Sequence, residues 1–150
     1  MKKFVVTTTI NEPTGVLKKH AEKGEWTVIV SGDLKTPHEK YQGIENLIYL
    51  PPEYQEKKWK KLSDLIGWNC LQRRNFSVLE AYERGADVIA VVDDDNIPKD
   101  TWGMGLSVLQ RDGVDVKTYE SDLLSFDPLG AIGSTEYGNE LWHRGFPIEL

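Results

Sequence analysis

The chain reads as an α/β protein built on a mainly parallel sheet flanked by helices. Short, apolar, β-branched runs recur at 4–9, 26–30, 46–50 and 88–92. Stretches with helical spacing and recognisable stops separate them. Strands that alternate with helices in this way are joined by right-handed crossovers into parallel sheets.

Phe4 to Thr9 is the first strand, β-branched and ending in polar threonines. Asn11-Glu12-Pro13-Thr14-Gly15 is a loop, and a short helix follows from Val16 to Lys23, closed by Gly24. Trp26 to Val30 is the second strand; Ser31-Gly32-Asp33 ends it and Lys35-Thr36-Pro37 continues the loop. Asn46 to Leu50 is a third strand, stopped by Pro51-Pro52. Between about Glu53 and Leu65 a charged helix places Trp59, Leu62, Leu65 and Ile66 on one face. The stretch from about Asn69 to Arg84 has the strongest helical pattern. Leu71, Val78, Leu79 and Tyr82 lie near one stripe, and Gly85 is the stop. Val88 to Val92 is the fourth strand. Beyond it the pattern loosens: Trp102 to Leu109 suits a helix and Val114 to Tyr119 an exposed strand. The last thirty residues are rich in Gly and aromatics without a clear period.

A length of 150 residues fits one domain with a sizeable core. The net charge of -6 argues against broad binding to nucleic acid or anionic membranes. Lys57, Lys58, Lys60 and Lys61 around Trp59 form the one basic cluster, expected as a solvated helix face. Cys70 stands alone, which excludes an internal disulfide and fits a reducing compartment. Met1-Lys2-Lys3 leads straight into the first strand. Its apolar run is too short for a signal-peptide core, and no stretch has the length of a bilayer span. The expectation is a cytoplasmic protein without direct membrane insertion. Nothing in the sequence fixes its oligomeric state.

The most informative stretch is the fourth strand with its ending, Asp93-Asp94-Asp95-Asn96. As a motif alone it has two readings. It is an acidic surface turn, with Asn96 and Pro98 as turn formers, or it is a site where hard carboxylate oxygens hold a divalent cation that offsets their mutual repulsion. Its surroundings favour the second. In a parallel sheet the strand ends collect on one edge, where open α/β sheets bind ligands. The first strand ends in Thr7-Thr8-Thr9, then Asn11 and Glu12; the second ends in Asp33 and Lys35; the fourth ends in the aspartates. Arg73-Arg74 lies one helix length ahead of the aspartates, and guanidinium forks suit phosphate oxygens. Carboxylates and arginines together suit a metal–diphosphate ligand. The alternative for either arginine is surface pairing with Asp87 or Glu80.

Arg74-Asn75, Ala81, Gly85-Ala86-Asp87 and an apolar strand running into Asp93-Asp94-Asp95 resemble the core of GT-A-fold (Rossmann-like) glycosyltransferases. Those enzymes use nucleotide-sugar donors and an Asp-x-Asp motif. Thr8-Thr9-Ile10-Asn11, Gly32-Asp33-Leu34-Lys35-Thr36-Pro37 and Asp93-Asp94-Asp95-Asn96 are most similar to STELLO-type glycosyltransferase-like proteins, with a looser similarity to UDP-arabinopyranose mutases (reversibly glycosylated polypeptides). The resemblance covers residues 4–102 and extends weakly to Trp142-His143-Arg144-Gly145-Phe146-Pro147. It implies a single GT-A-like domain over 1–150, with the donor site in about 4–102 and an acceptor or metal-completing region in about 103–150.

The resemblance also implies roles. Thr8 and Thr9, with Asn11, would line the nucleotide pocket. Asp33 would hydrogen-bond the base, expected to be uracil, with Lys35 beside base or phosphate. Arg73 or Arg74 would reach the ribose or diphosphate. Asp93 and Asp95 match the outer carboxylates of Asp-x-Asp. Asp95 is the expected metal ligand; Asp93 is a second ligand or touches ribose or a metal-bound water. Asp94 takes either part, since a triple aspartate leaves the register open. His143 is the candidate for completing the metal shell, against a packing histidine beside Trp142. Mn²⁺ or Mg²⁺ is the implied cofactor. An inverting enzyme would add a carboxylate base, with Glu136, Glu140, Asp122 and Asp127 available. Relatives of this type carry a longer acceptor-binding part, so a minimal or truncated form is expected, and the acceptor is unspecified. The activities that follow are a metal-dependent glycosyltransferase using a UDP-sugar, a sugar-nucleotide mutase, or a catalytically weak nucleotide-sugar-binding module acting through partners.

Overall fold

The structure, a computed structural model, describes residues 1–103 together with the isolated positions 120 and 122. Four strands form one sheet: β1 (Lys3–Thr9), β2 (Trp26–Gly32), β3 (Leu47–Leu50) and β4 (Val88–Val91). Their order across the sheet is β3-β2-β1-β4, and every neighbouring pair is parallel. The expected α/β class with a parallel sheet and flanking helices is therefore what the chain adopts.

Three α-helices cover it: α1 (Gly15–Glu22), α2 (Pro52–Ile66) and α3 (Arg74–Glu83). Alternate residues of each strand point to opposite faces, and the core divides accordingly. Val5, Val28 and Val30 pack with Leu17 and Ala21 of α1 on one face. Phe4, Val6 and Ile29 pack with Phe76 and Ala81 of α3, and with Tyr54, Trp59, Leu62 and Ile66 of α2, on the other. The fully buried Val5, Val6, Val28, Ile29 and Val30 supply the central driving force, each of order 1.5–3 kcal/mol in transfer terms.

The elements follow the sequence pattern with informative differences. Gly24 and Gly85 lie at positive φ just beyond α1 and α3, as helix stops require. The third helix does not begin at Asn69. That residue sits at φ 57, a 3-10 turn over Leu71–Arg73 follows, and α3 starts only at Arg74. The rotated start changes its inner face. Phe76, Ser77, Glu80 and Ala81 are buried, while Leu71 and Tyr82 of the expected stripe are 70% and 76% exposed. In α2 the backbone breaks helical geometry at Trp59 (φ -131, ψ 49), and Leu65 turns outward at 83% exposure. Lys58 does not belong to a merely solvated face. It bridges Glu80 and Glu83 at 2.7 and 2.6 Å and lies over the Trp59 ring. Glu80 is buried on α3 and also accepts from Tyr54 and Arg84, so three donors compensate its charge. The expected helix at Trp102–Leu109, beyond Gly103, and the strand at Val114–Tyr119 lie outside the described residues. Among the described residues no helix is long and apolar enough to cross a membrane.

Candidate functional site at the carboxyl edge of the sheet

Because all four strands are parallel, their carboxyl ends share one edge. The loops after β1, β2 and β4 meet there, and Thr9 is their junction. Its hydroxyl donates to the Asp94 carboxylate and accepts from the Asn11 backbone N–H at 3.0 Å. The Asn11 amide donates to the same Asp94 Oδ2 at 3.1 Å. The Thr9 carbonyl accepts the Thr36 hydroxyl at 2.7 Å, and Thr36 in turn accepts the Asp33 N–H at 2.8 Å. Three loops far apart in sequence are thus tied through two threonines.

Each aspartate has a different environment. Asp94 is committed to Thr9 and Asn11, and its carbonyl accepts from Thr14 Oγ1 at 2.9 Å. Asp93 is paired with Arg74, Nη1 to Oδ1 at 2.9 Å, both side chains half-exposed. Asp95 is exposed and, among the described residues, accepts only a 3.2 Å contact from the neighbouring Asn96 amide. The turn closes on itself: Asn96 N–H donates to the Asp93 carbonyl and Asn96 Oδ1 accepts from Asp93 N–H, both at 3.2 Å. The three carboxylates thus differ in direction. The middle carboxylate faces β1, and the outer two face arginine and open surface.

The other expected site residues are distributed more widely. Thr8 is half-buried and its hydroxyl donates sideways to the Ser31 carbonyl at 2.8 Å. Lys35 stands exposed at the rim. Asp33 lies on the same edge but is 2% exposed. Its two oxygens accept backbone N–H groups of Leu34 and Asn69 at 2.6 and 2.8 Å, fastening the loop after β2 to the segment before α3. Arg73 points inward and is fully buried. Its guanidinium stacks on Trp68 and Phe76, 3.6 and 4.3 Å from the ring centroids. It donates to Ser63 Oγ, the Gly67 carbonyl and Gln55 Oε1 at 3.0, 3.2 and 2.5 Å. Of the two arginines only Arg74 faces the aspartates; neither pairs with Asp87 or Glu80. His143 lies outside the described residues.

Several edge residues carry no obvious sequence signal. Gln55 donates to the carbonyls of Gly32 and Leu50, holding the ends of β2 and β3 together. Ser77 donates to the Thr7 carbonyl at 2.9 Å, so in its 2.6 Å contact with Ser31 the proton must come from Ser31. Thr14 could have been found: its hydroxyl caps Leu17 N–H at 3.2 Å, and a threonine before a helical run is an N-cap signal. Tyr41 stacks on Tyr49 and donates to the Asn11 carbonyl. Burial pushes the Tyr41 hydroxyl upward and Tyr49 up to about 12, so both stay neutral donors at physiological pH.

A divalent cation needs hard oxygen donors, and Asp93 and Asp95 supply them. Among the described residues no three His, Cys, Asp or Glu side chains gather around one point. A search of protein-family models found no match to this chain, and a search of curated proteins found none.

Proposed function

We propose that this chain is a GT-A-type nucleotide-sugar-binding domain of a divalent-metal-dependent glycosyltransferase, with a UDP-sugar as donor. One observation carries the reading. The loops after β1, β2 and β4 converge at the carboxyl edge of an all-parallel sheet and present Asp93, Asp95 and Arg74 there. Such an edge is where open α/β sheets take nucleotides. The order of polar strand ends supports it, as does the resemblance in the motifs ending β1, β2 and β4.

In this reading Asp95, with Asp93, would hold Mg²⁺ or Mn²⁺, which supplies Lewis-acid stabilisation to a departing diphosphate. Arg74 is placed to cover phosphate charge. Asp94 keeps its hydrogen bonds to Thr9 and Asn11 and fixes the turn. Asp33, buried and bonded to the backbone N–H groups of Leu34 and Asn69, holds the loop after β2 in place at this edge. Transfer breaks the anomeric C–O bond, leaves the electron pair on the nucleoside diphosphate and forms a new bond from the acceptor oxygen to the anomeric carbon, while the acceptor hydroxyl's proton passes to a base, either a carboxylate or the departing diphosphate itself.

Calorimetric titration with UDP tests the proposal. Affinity should rise strongly with Mn²⁺ and fall back in chelator, because the cation reverses the sign of the field at the aspartates. Outer-shell changes at metal sites already cost about 10–100-fold in metal affinity. Asp95→Asn, a change to a direct ligand, should cut the Mn²⁺ enhancement by at least about tenfold. Lys61→Ala, on the exposed side of α2, should not. Equal UDP binding by all proteins with and without Mn²⁺ would return the aspartates to an acidic turn. Product analysis with UDP-sugars then separates the activities. Released UDP supports transfer or hydrolysis, a new sugar isomer supports a mutase, and binding without turnover supports a binding module.

A further inference from the structure

His20 is completely buried on α1 and belongs to none of the sequence motifs that point to the site. Its Nε2 lies 3.2 Å from the Asn96 carbonyl, in the turn that carries the aspartates. A carbonyl can only accept, so the ring proton sits on Nε2 and Nδ1 is a bare lone pair. Nδ1 has no hydrogen-bond partner among the described residues. The ring also packs edge-on against Trp102, 4.7 Å between centroids, and Trp102 leans on Trp26 at 4.9 Å.

Two further contacts along α1 give this one meaning. Thr14, the N-cap, donates to the Asp94 carbonyl at 2.9 Å. Lys23, the C-cap, donates to the Asp100 carbonyl at 3.3 Å. The chain leaving β4 is therefore hydrogen-bonded to α1 at the N-cap, in the last turn and at the C-cap, each time through a backbone carbonyl. Of the three donors only His20 has a fully buried side chain; its bond, like that of Thr14, is part-buried, because the chain leaving β4 lies at the surface.

We infer that His20 is a positioning residue for the acidic turn: α1 is the rail on which Asp93–Asn96 is mounted, and the bond from the buried His20 ring to Asn96 is its anchor. Its bearing on ligand binding rests on the metal–diphosphate reading above. Metal sites tolerate little displacement of their ligands, and groups behind the ligands set that placement. The Asn96 carbonyl belongs to the residue next to Asp95, so releasing it frees the exposed carboxylate to wander.

Two variants separate donor from bulk. His20→Phe keeps a ring against Trp102 and removes the donor. His20→Gln keeps a donor, its amide nitrogen standing near the imidazole Nε2, and removes the ring. Circular dichroism and thermal melts establish which variants are folded at the assay temperature; His20→Leu replaces the phenylalanine variant if the latter does not fold. Amide hydrogen exchange at Asn96, which reports the turn without any ligand, should be about tenfold faster in His20→Phe and near wild type in His20→Gln. The Mn²⁺ enhancement of UDP affinity should fall about tenfold in His20→Phe and be rescued in His20→Gln. A folded His20→Phe protein with the wild-type exchange rate or the wild-type Mn²⁺ enhancement overturns the inference. So does a glutamine variant as impaired as the phenylalanine one. Were wild-type UDP binding indifferent to Mn²⁺, the metal–diphosphate reading would fall, and Asn96 exchange alone would decide the anchor.

Discussion

Gly32, the last residue of β2, shows how closely the edge is packed. A Cβ there would overlap the hydroxyl and ring of Tyr49. That ring cannot retreat freely: it stacks on Tyr41 at 4.4 Å and its hydroxyl contacts His38 Nδ1 at 2.5 Å. Gly32→Ala should therefore destabilise by about 1–3 kcal/mol, the usual range for overpacking, measured as a shift in the urea midpoint. In a Tyr49→Ala background the same change should cost much less, since the two sites are coupled through one overlap. In the sequence Gly32 belongs to the end of the second strand and to the Gly32–Pro37 motif of the resemblance. The reason for glycine lies on β3, seventeen positions downstream. Asp33 and Arg73 carry the same lesson. The resemblance implies a base contact for Asp33 and a ribose or diphosphate contact for Arg73 or Arg74. Backbone N–H groups claim one, and Trp68, Phe76 and three neutral acceptors claim the other. An expectation from residue type cannot see such local partners.

Among the elements, those read most accurately from sequence were the ones whose signals are local. β1, β2 and β4 are apolar runs with polar ends, and their observed bounds differ from expectation by one or two residues. Val92 N–H still bonds to Val6 O just beyond β4. The inner face of α3 departs from the periodicity that starts at Leu71, because the 3-10 turn over Leu71–Arg73 resets the phase. It also hides polar residues, Ser77 and Glu80, whose burial depends on partners from β1, β2 and α2. Arg73 joins these elements. It holds Ser63 and Gln55 of α2 and the Gly67 carbonyl that follows, and Gln55 then grips the ends of β2 and β3. Arg73→Lys preserves the charge but loses the planar fork and both ring stacks. Leaving an ill-paired buried cation should cost about 3–5 kcal/mol, read as a lower melting temperature with the charge unchanged. A stability near wild type would show that the fork is dispensable and that charge alone matters at this position.

For the whole molecule, the acid limb of stability should divide into two parts carried by opposite faces of the sheet. On the α1 face, burial depresses the His20 imidazole below its ordinary value of 6.5, partly opposed by the Asn96 carbonyl and reinforced by Lys23. The folded protein thus resists protonation more than the unfolded chain. The resulting stability is complete above pH 6.5 and is lost as pH falls through the lower folded value. On the α2–α3 face, burial alone would raise the Glu80 carboxyl, but hydrogen bonds from Lys58, Tyr54 and Arg84 outweigh it and hold the group below the ordinary 4.5. Its contribution is present above 4.5 and disappears only below that. Denaturant titrations across pH should therefore show stability declining from about pH 6.5 and falling again below about 4.5. His20→Gln should flatten the first decline and leave the second. Glu80→Gln should lower stability at pH 7, leaving Lys58 with Glu83, and its deficit against wild type should shrink as pH drops through the Glu80 range. A single decline centred near pH 4, unaltered by His20→Gln, would show that the buried imidazole is protonated as readily in the folded chain as in the unfolded one.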